Sequence, residues 1–195
     1  MFLFLAIATN FESGTMPMGA YGAKSDMPDL TAPGGFAESK NKSWSMAEVN
    51  VEGTELKLIV KKNACCVKGP DCPQIVILSN GGSEPAWFAA SDGVLSLRRE
   101  AKAPNGEWQV IEFRMSPDCG NSLHKVALNP GRAWIWDVPS NSGTFATSGR
   151  YVLLAGEKRL ESSVFPVKIN QSDFVLPDQY RNGFKLDVNG LLIRS

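Results

Sequence analysis

The chain has 195 residues, 43% hydrophobic and 21% charged, which lies within the globular range and is long enough for a core that needs no metal or disulfide to complete it. Twenty basic residues balance twenty acidic ones at a pI near 6.6, so nothing attracts a phosphate backbone or an anionic lipid surface at long range, and nucleic acid is not expected as a partner. No apolar run approaches the roughly 20 residues that a membrane-spanning helix requires.

In chain order, residues 1–8 (MFLFLAIA) form an apolar run ending in the small-x-small pattern Ala6-Ile-Ala8. They read as the tail of a secretory signal without its basic start, with a short buried strand as the alternative. Residues 9–45 carry Gly, Pro, Ser, Met and Asn with no sustained period, as in Gly14-Thr-Met-Pro-Met-Gly19 and Ala32-Pro-Gly-Gly35, which is the composition of a flexible linker. The folded part is predicted to begin near Trp44 and to occupy residues 46–172.

Its first strand is predicted over 55–61, where Leu56, Leu58 and Val60 share one face and lysines take the other. A continuous apolar strand follows over 74–78, bounded by Pro73 and Asn80-Gly-Gly82, and another over 93–97 leads into Arg98-Arg99. Lys61-Lys62 and Arg98-Arg99 are expected on a solvated face or a guarded edge. Asn105-Gly106 signals a hairpin into the alternating run 108–115, Asn129-Pro-Gly131 turns, and strands follow over 133–138, 151–155 and 164–169. Asn189-Gly190 repeats the hairpin signal between 184–188 and 191–194, so residues 173–195 are expected to form a hairpin extension that docks on the rest. About seven strands at roughly eight-to-twelve-residue spacing, with no amphipathic helix between them, predict an all-β fold of two packed antiparallel sheets.

Two passages resemble bacterial immunoglobulin-like modules of secreted proteins. One is Ile77-Leu-Ser-Asn-Gly-Gly-Ser-Glu-Pro85; the other is Leu128-Asn-Pro-Gly131 followed by Gly149-Arg-Tyr151 and Glu161-Ser-Ser-Val164. Cys119-Gly-Asn-Ser122, Ser142-Gly-Thr-Phe145 and Arg150 are also similar to an uncharacterised bacterial extracytoplasmic family with a CGNS, GTF and Arg pattern. The resemblance implies an immunoglobulin-like sandwich outside the cytoplasm, periplasmic or secreted, and transfers no catalytic residue.

The four cysteines, Cys65, Cys66, Cys72 and Cys119, are an even set suited to an oxidising compartment, and four allow three pairings. A vicinal bond is strained, so one of the adjacent pair is expected to bridge Cys72 and the other to reach Cys119, and of the two ways to do this we take Cys66 with Cys72 and Cys65 with Cys119. The spacing Cys119-x4-His124 matches a blue-copper loop, but that site needs two histidines and His124 is the only one. A zinc site from three cysteines and His124 satisfies the count but not the spacing of a finger or ribbon. No metal or other cofactor is therefore expected.

The single histidine also restricts nucleophilic triads to His124, with Ser122 and Cys119 as neighbours that more commonly serve a turn. Glu107, Glu112 and Asp137 are available carboxylates without diagnostic spacing. Trp134 and Trp136 fall on the same face of one strand and form either core or a flat platform for a sugar ring; they are the candidate ligand face. The sequons at Asn41 and Asn170 carry little weight. The reading is a non-catalytic binding or accessory module of an exported bacterial protein, with a protein or a carbohydrate as partner. The alternatives are a hydrolase acting on a polymer at the sandwich edge, and a protease inhibitor presenting the loops 81–84 and 139–143.

Overall fold

The structure is a computed structural model that describes residues 21–32, 34–62, 74–112, 114–115, 122–139, 142–156, 158–175, 184–186 and 191–194. The chain is all-β. Its strands are β1 (Trp44–Ser45), β2 (Leu56–Lys62), β3 (Gln74–Asn80), β4 (Ala86–Ser91), β5 (Val94–Leu95), β6 (Arg98–Lys102), β7 (Trp108–Val110) and β8 (Arg114–Met115). They continue as β9 (Leu123–Leu128), β10 (Arg132–Val138), β11 (Phe145–Ala155), β12 (Lys158–Glu161), β13 (Phe165–Ile169), β14 (Phe184–Leu186) and β15 (Leu191–Arg194). One 3-10 turn, Gln171–Phe174, follows β13.

These strands make antiparallel sheets stacked in the manner of a sandwich. One layer has the order β1-β10-β3-β2; facing it are β5-β4-β9 and the group β12-β11-β6-β7, in which β13 also pairs with β11. Among the described residues the strands fall into four hydrogen-bonded groups, consistent with the expected sandwich, and the fourth, β14-β15-β8, contains a parallel pair between β15 and β8. The immunoglobulin-like expectation is compatible with this arrangement.

Period-two alternation explains the faces. Leu58, Val76, Leu78, Trp134 and Trp136 point from the first sheet into a common core with Phe88, Val126, Leu128, Tyr151 and Leu153 from the opposing sheets. The reverse face of the first sheet carries Ile59, Ile77 and Ile135 in one register row, and the turn bearing Met46, Val49 and Val51 covers it. Lys61 Nζ clamps that turn by donating to the Asn50 carbonyl at 2.9 Å.

The predicted strand 108–115 is broken. The ladder ends at Val110, and Ile111 and Glu112 beyond it are both buried. The Asn105-Gly106 hairpin is present, with Lys102 opposite Trp108 and Gly106 at φ +86°. Phe184↔Arg194 to Leu186↔Leu192 pair as expected, while the Asn189-Gly190 turn between them lies outside the described residues. The possible signal segment, residues 1–8, lies outside them too.

The linker expectation over 9–45 is corrected for residues 21–32 and 34–45, which belong to the fold. Tyr21 and Ala23 are fully buried in the main core. The two core indoles need acceptors, and this segment provides them: Trp134 Nε1 donates to the Lys24 carbonyl at 3.0 Å and Trp136 Nε1 to the Gly22 carbonyl at 2.8 Å. Asn41 Nδ2 ties the segment down by donating to the carbonyls of Gly22 and Ile135. Main-chain carbonyls do this work, so small and polar side chains suffice and the composition resembles a linker.

Candidate functional site

A cleft of about 260 Å³ opens between the N-terminal segment 23–39 and strand β9. One wall is built by side chains standing in for a missing strand. Along the outer edge of β9, the N–H groups of Lys125, Ala127 and Asn129 donate to Asp29 Oδ2 at 2.8 Å, Ser25 Oγ at 2.8 Å and Asp26 Oδ2 at 2.9 Å. Asp26 N returns a bond to the Ala127 carbonyl at 2.9 Å. The edge donors are thereby satisfied and shielded from other chains. Hydrogen bonds from the Thr31 side chain, the Lys125 N–H and the Thr31 N–H hold the Asp29 carboxyl down at about 2, so it is a carboxylate at neutral pH.

The second wall is Phe36, whose ring stacks on His124 with centroids 3.8 Å apart and planes at 11°. Its loop is pinned by Ala37 N, which donates to Asp92 Oδ1 at 2.9 Å. Gly93 closes the approach: at φ +70° with Ser39 N only 2.5 Å from where a Cβ would stand, no other residue fits.

His124 itself is 9% exposed. Its Nδ1 lies 3.0 Å from the Ser122 carbonyl, which also accepts from Asp92 N. A carbonyl can only accept, so Nδ1 carries a proton, and in the Nδ1–H tautomer Nε2 is an acceptor. Nε2 has no protein partner among the described residues, and the ring lines the cleft. Lys24 Nζ and Glu38 Oε2 form an ion pair of 3.5 Å between two other lining residues.

The expected ligand face is corrected. Trp134 is 0% and Trp136 4% exposed, and they contact Phe88 and Tyr21 edge-on, so neither can stack on a sugar. The face became interior because segment 21–24 lies over it. The candidate disulfide residues Cys65, Cys66, Cys72 and Cys119 lie outside the described residues. Among the described residues, no group of three or more His, Cys, Asp and Glu side chains is placed to hold a metal ion. Ser122 offers His124 a carbonyl as the recorded bond, so the pair does not form a nucleophile and base in this geometry.

Arg98-Arg99 is also corrected, because Arg99 is not on a solvated face. Its guanidinium is buried, with Nε 3.0 Å from Glu112 Oε1 but its N–H pointing off that line, and Nη2 donates to the Pro139 carbonyl at 3.1 Å. Tyr21 Oη donates to Glu112 Oε2 at 2.8 Å, and Arg99 lies over the Tyr151 ring at 5.2 Å. Burial, the largest single influence, disfavours the cation, but Glu112 together with Tyr151 and Tyr21 more than offsets it and the Arg99 pKa lies above its ordinary value. Glu112 is thus a buried counter-ion and Glu107 a turn acceptor for Asn105, which leaves neither free as a surface acid.

Arg98 joins a different network on the outer face of the β11 sheet. Arg98, Arg150 and Arg159 converge on Glu100, Arg150 and Arg159 also meet Glu161, and Trp108 covers Arg150 at 4.2 Å. Burial tends to raise the Glu100 carboxyl, yet the arginines more than offset this and lower it overall. The loop 81–84 is braced by Asn80, which donates to the Glu84 carbonyl and accepts from Gly82 N. Both sequon asparagines have internal roles, Asn41 as above and Asn170 at the start of the 3-10 turn.

Phe36, Lys24, Asp29 and Gly93 were not identified from sequence. No local pattern marks them, since they become neighbours only when the arm folds back on β9. Comparison with protein-family models, with curated proteins and with solved structures found no match.

Proposed function

We propose that this chain is a non-catalytic binding module of an exported bacterial protein and that it takes its ligand in the cleft between residues 23–39 and β9. The observation that carries the reading is His124, a nearly buried ring oriented through Nδ1, stacked on Phe36, and left with an unpartnered acceptor in a cleft. Among the described residues Nε2 of His124 has no side-chain nucleophile as a hydrogen-bond partner, and Asp26 and Asp29 accept from backbone N–H groups. A recognition site needs a rigid concave wall with a few fixed polar groups, and those are the elements assembled. Export is supported by the signal-like start and the even cysteine set. The immunoglobulin-like resemblance accords with a scaffold that displays a site without supplying chemistry.

The test is amide NMR of the full chain titrated with mixtures of small metabolites, sugars and peptides, with turnover followed in the same tubes. Shifts confined to Lys24, Phe36, Gly93, His124 and Lys125 without product formation are expected. Product formation, or shifts confined to another face, would refute the reading.

A further inference from the structure

Resting on that reading of the cleft, we infer that its ligand is an uncharged hydroxylated ring, a single saccharide unit. A cleft of about 260 Å³ is below the roughly 300–1,000 Å³ that houses a drug-sized molecule, so it accommodates one ring or one chain end.

Charge narrows the class. The lining carries Lys24 and Lys125 against Asp26, Asp29 and Glu38. Lys24 pairs with Glu38, Asp29 holds two backbone N–H groups and the Thr31 hydroxyl, and Asp26 accepts from Asn129 N and the Ser43 hydroxyl. Those four charges are engaged and the Lys125 side chain is exposed to solvent, so an ionic ligand of either sign would meet only a screened surface charge. Hydrogen-bond polarity narrows it further, because Nε2 of His124 is an acceptor and requires a donor from the ligand. A hydroxylated ring donates one O–H to Nε2 and can accept from Lys24 Nζ through another, while its C–H face packs on the apolar side chains of Phe36 and Met27.

The experiment uses the 15N-labelled full chain with neutral monosaccharides, a neutral disaccharide, acetamide, an alkylamine and acetate as separate probes. The expected result is a saturable shift of the Phe36, Gly93 and His124 amides with at least one neutral sugar, at a dissociation constant on the order of 1 mM. In long-range 1H–15N spectra of the unaltered protein, Nε2 of His124 should move upfield as it accepts the hydroxyl. His124→Phe keeps the ring and removes Nε2, and should weaken binding about tenfold. Phe36→Leu, which leaves the acceptor in place, should weaken it as well, with amide dispersion verifying the fold of each variant.

No cleft shift with any neutral sugar overturns the inference. Shifts with acetamide, the amine or acetate alone overturn the ligand class and leave the binding-module reading intact. Cleavage of the disaccharide overturns the non-catalytic reading on which the inference rests.

Discussion

Replacing Glu112 by alanine tests whether the buried ion pair, and not hydrophobic area alone, decides how the N-terminal segment is held. Arg99 and Glu112 side chains are 1% and 6% exposed, with 3.0 Å between Nε and Oε1. Without the carboxylate, the guanidinium keeps, among the described residues, the Pro139 carbonyl, the Tyr151 ring and the attraction of Asp173, and Tyr21 Oη loses its acceptor. Removing one partner of a buried pair costs about 3–5 kcal/mol, and stranding the tyrosine hydroxyl adds a further part of about 1–3 kcal/mol, not fully additive because the groups share one network. Against a typical total of roughly 5–15 kcal/mol, this is a large fraction. At this chain length, the ion-pair loss lowers the thermal midpoint by about 6–20 °C. Urea unfolding followed by tryptophan fluorescence should show a lower midpoint at unchanged slope. The double change Arg99→Met with Glu112→Leu removes both charges and should be less damaging than Glu112→Ala. A single variant within about 1 kcal/mol of the parent, or a double variant less stable than the single, would refute the reasoning.

Burial, followed by the charge of Glu112, raises the Tyr21 pKa well above its ordinary value, and burial raises that of Tyr151. Above the ordinary tyrosine pKa near 10, the unfolded chain therefore loses protons that the folded chain retains, and stability should fall by up to about 1.4 kcal/mol per pH unit per tyrosine; urea midpoints that stay flat from pH 9.5 to 11.5 would contradict this. Asp29 has the opposite sign: its carboxyl is held at about 2, so its contribution is present above pH 4 and disappears as the pH falls toward 2, and the protection of the Lys125 and Thr31 amides, taken relative to the intrinsic exchange rate at each pH, should fall over that interval. Gly93→Ala should cost more than Gly106→Ala, because both have positive φ but only Gly93 has backbone 2.5 Å from the new Cβ; the strain alone is about 1–2 kcal/mol, and equal unfolding midpoints would exclude the steric part. Trp136→Ala should destabilise by about 3–5 kcal/mol as a core residue, measured by chemical denaturation, whereas Trp44→Ala at the exposed edge strand should cost far less.

Strand positions were legible because a strand announces itself locally. The alternation of Leu56, Leu58 and Val60 needs no knowledge of the partner strand, and β2 lies within a residue of its predicted place. The break after Val110 was not legible, because the run through Met115 alternates well and the buried Arg99 that meets Glu112 is supplied by the neighbouring strand of the fold. Composition misled over residues 21–32 and 34–45. It reported small, polar and turn-forming residues correctly, but carried no trace of the carbonyls that accept from Trp134 and Trp136.

The candidate site follows the same division. That His124 is the chain's sole imidazole is a property of the sequence, and it was enough to remove blue copper and restrict any triad. Which nitrogen bears the proton, which aromatic ring lies on it and whether it meets a cleft depend on Ser122, Phe36 and the arm, brought together from separated parts of the chain. By itself the sequence determined an all-β chain with its strands and turns, because backbone preference and side-chain alternation are short-range. Only the tertiary structure decided that Trp134 and Trp136 are interior and that the accessible aromatic beside His124 is Phe36, because burial depends on what covers a face, and here the cover comes from a segment whose composition resembles a linker.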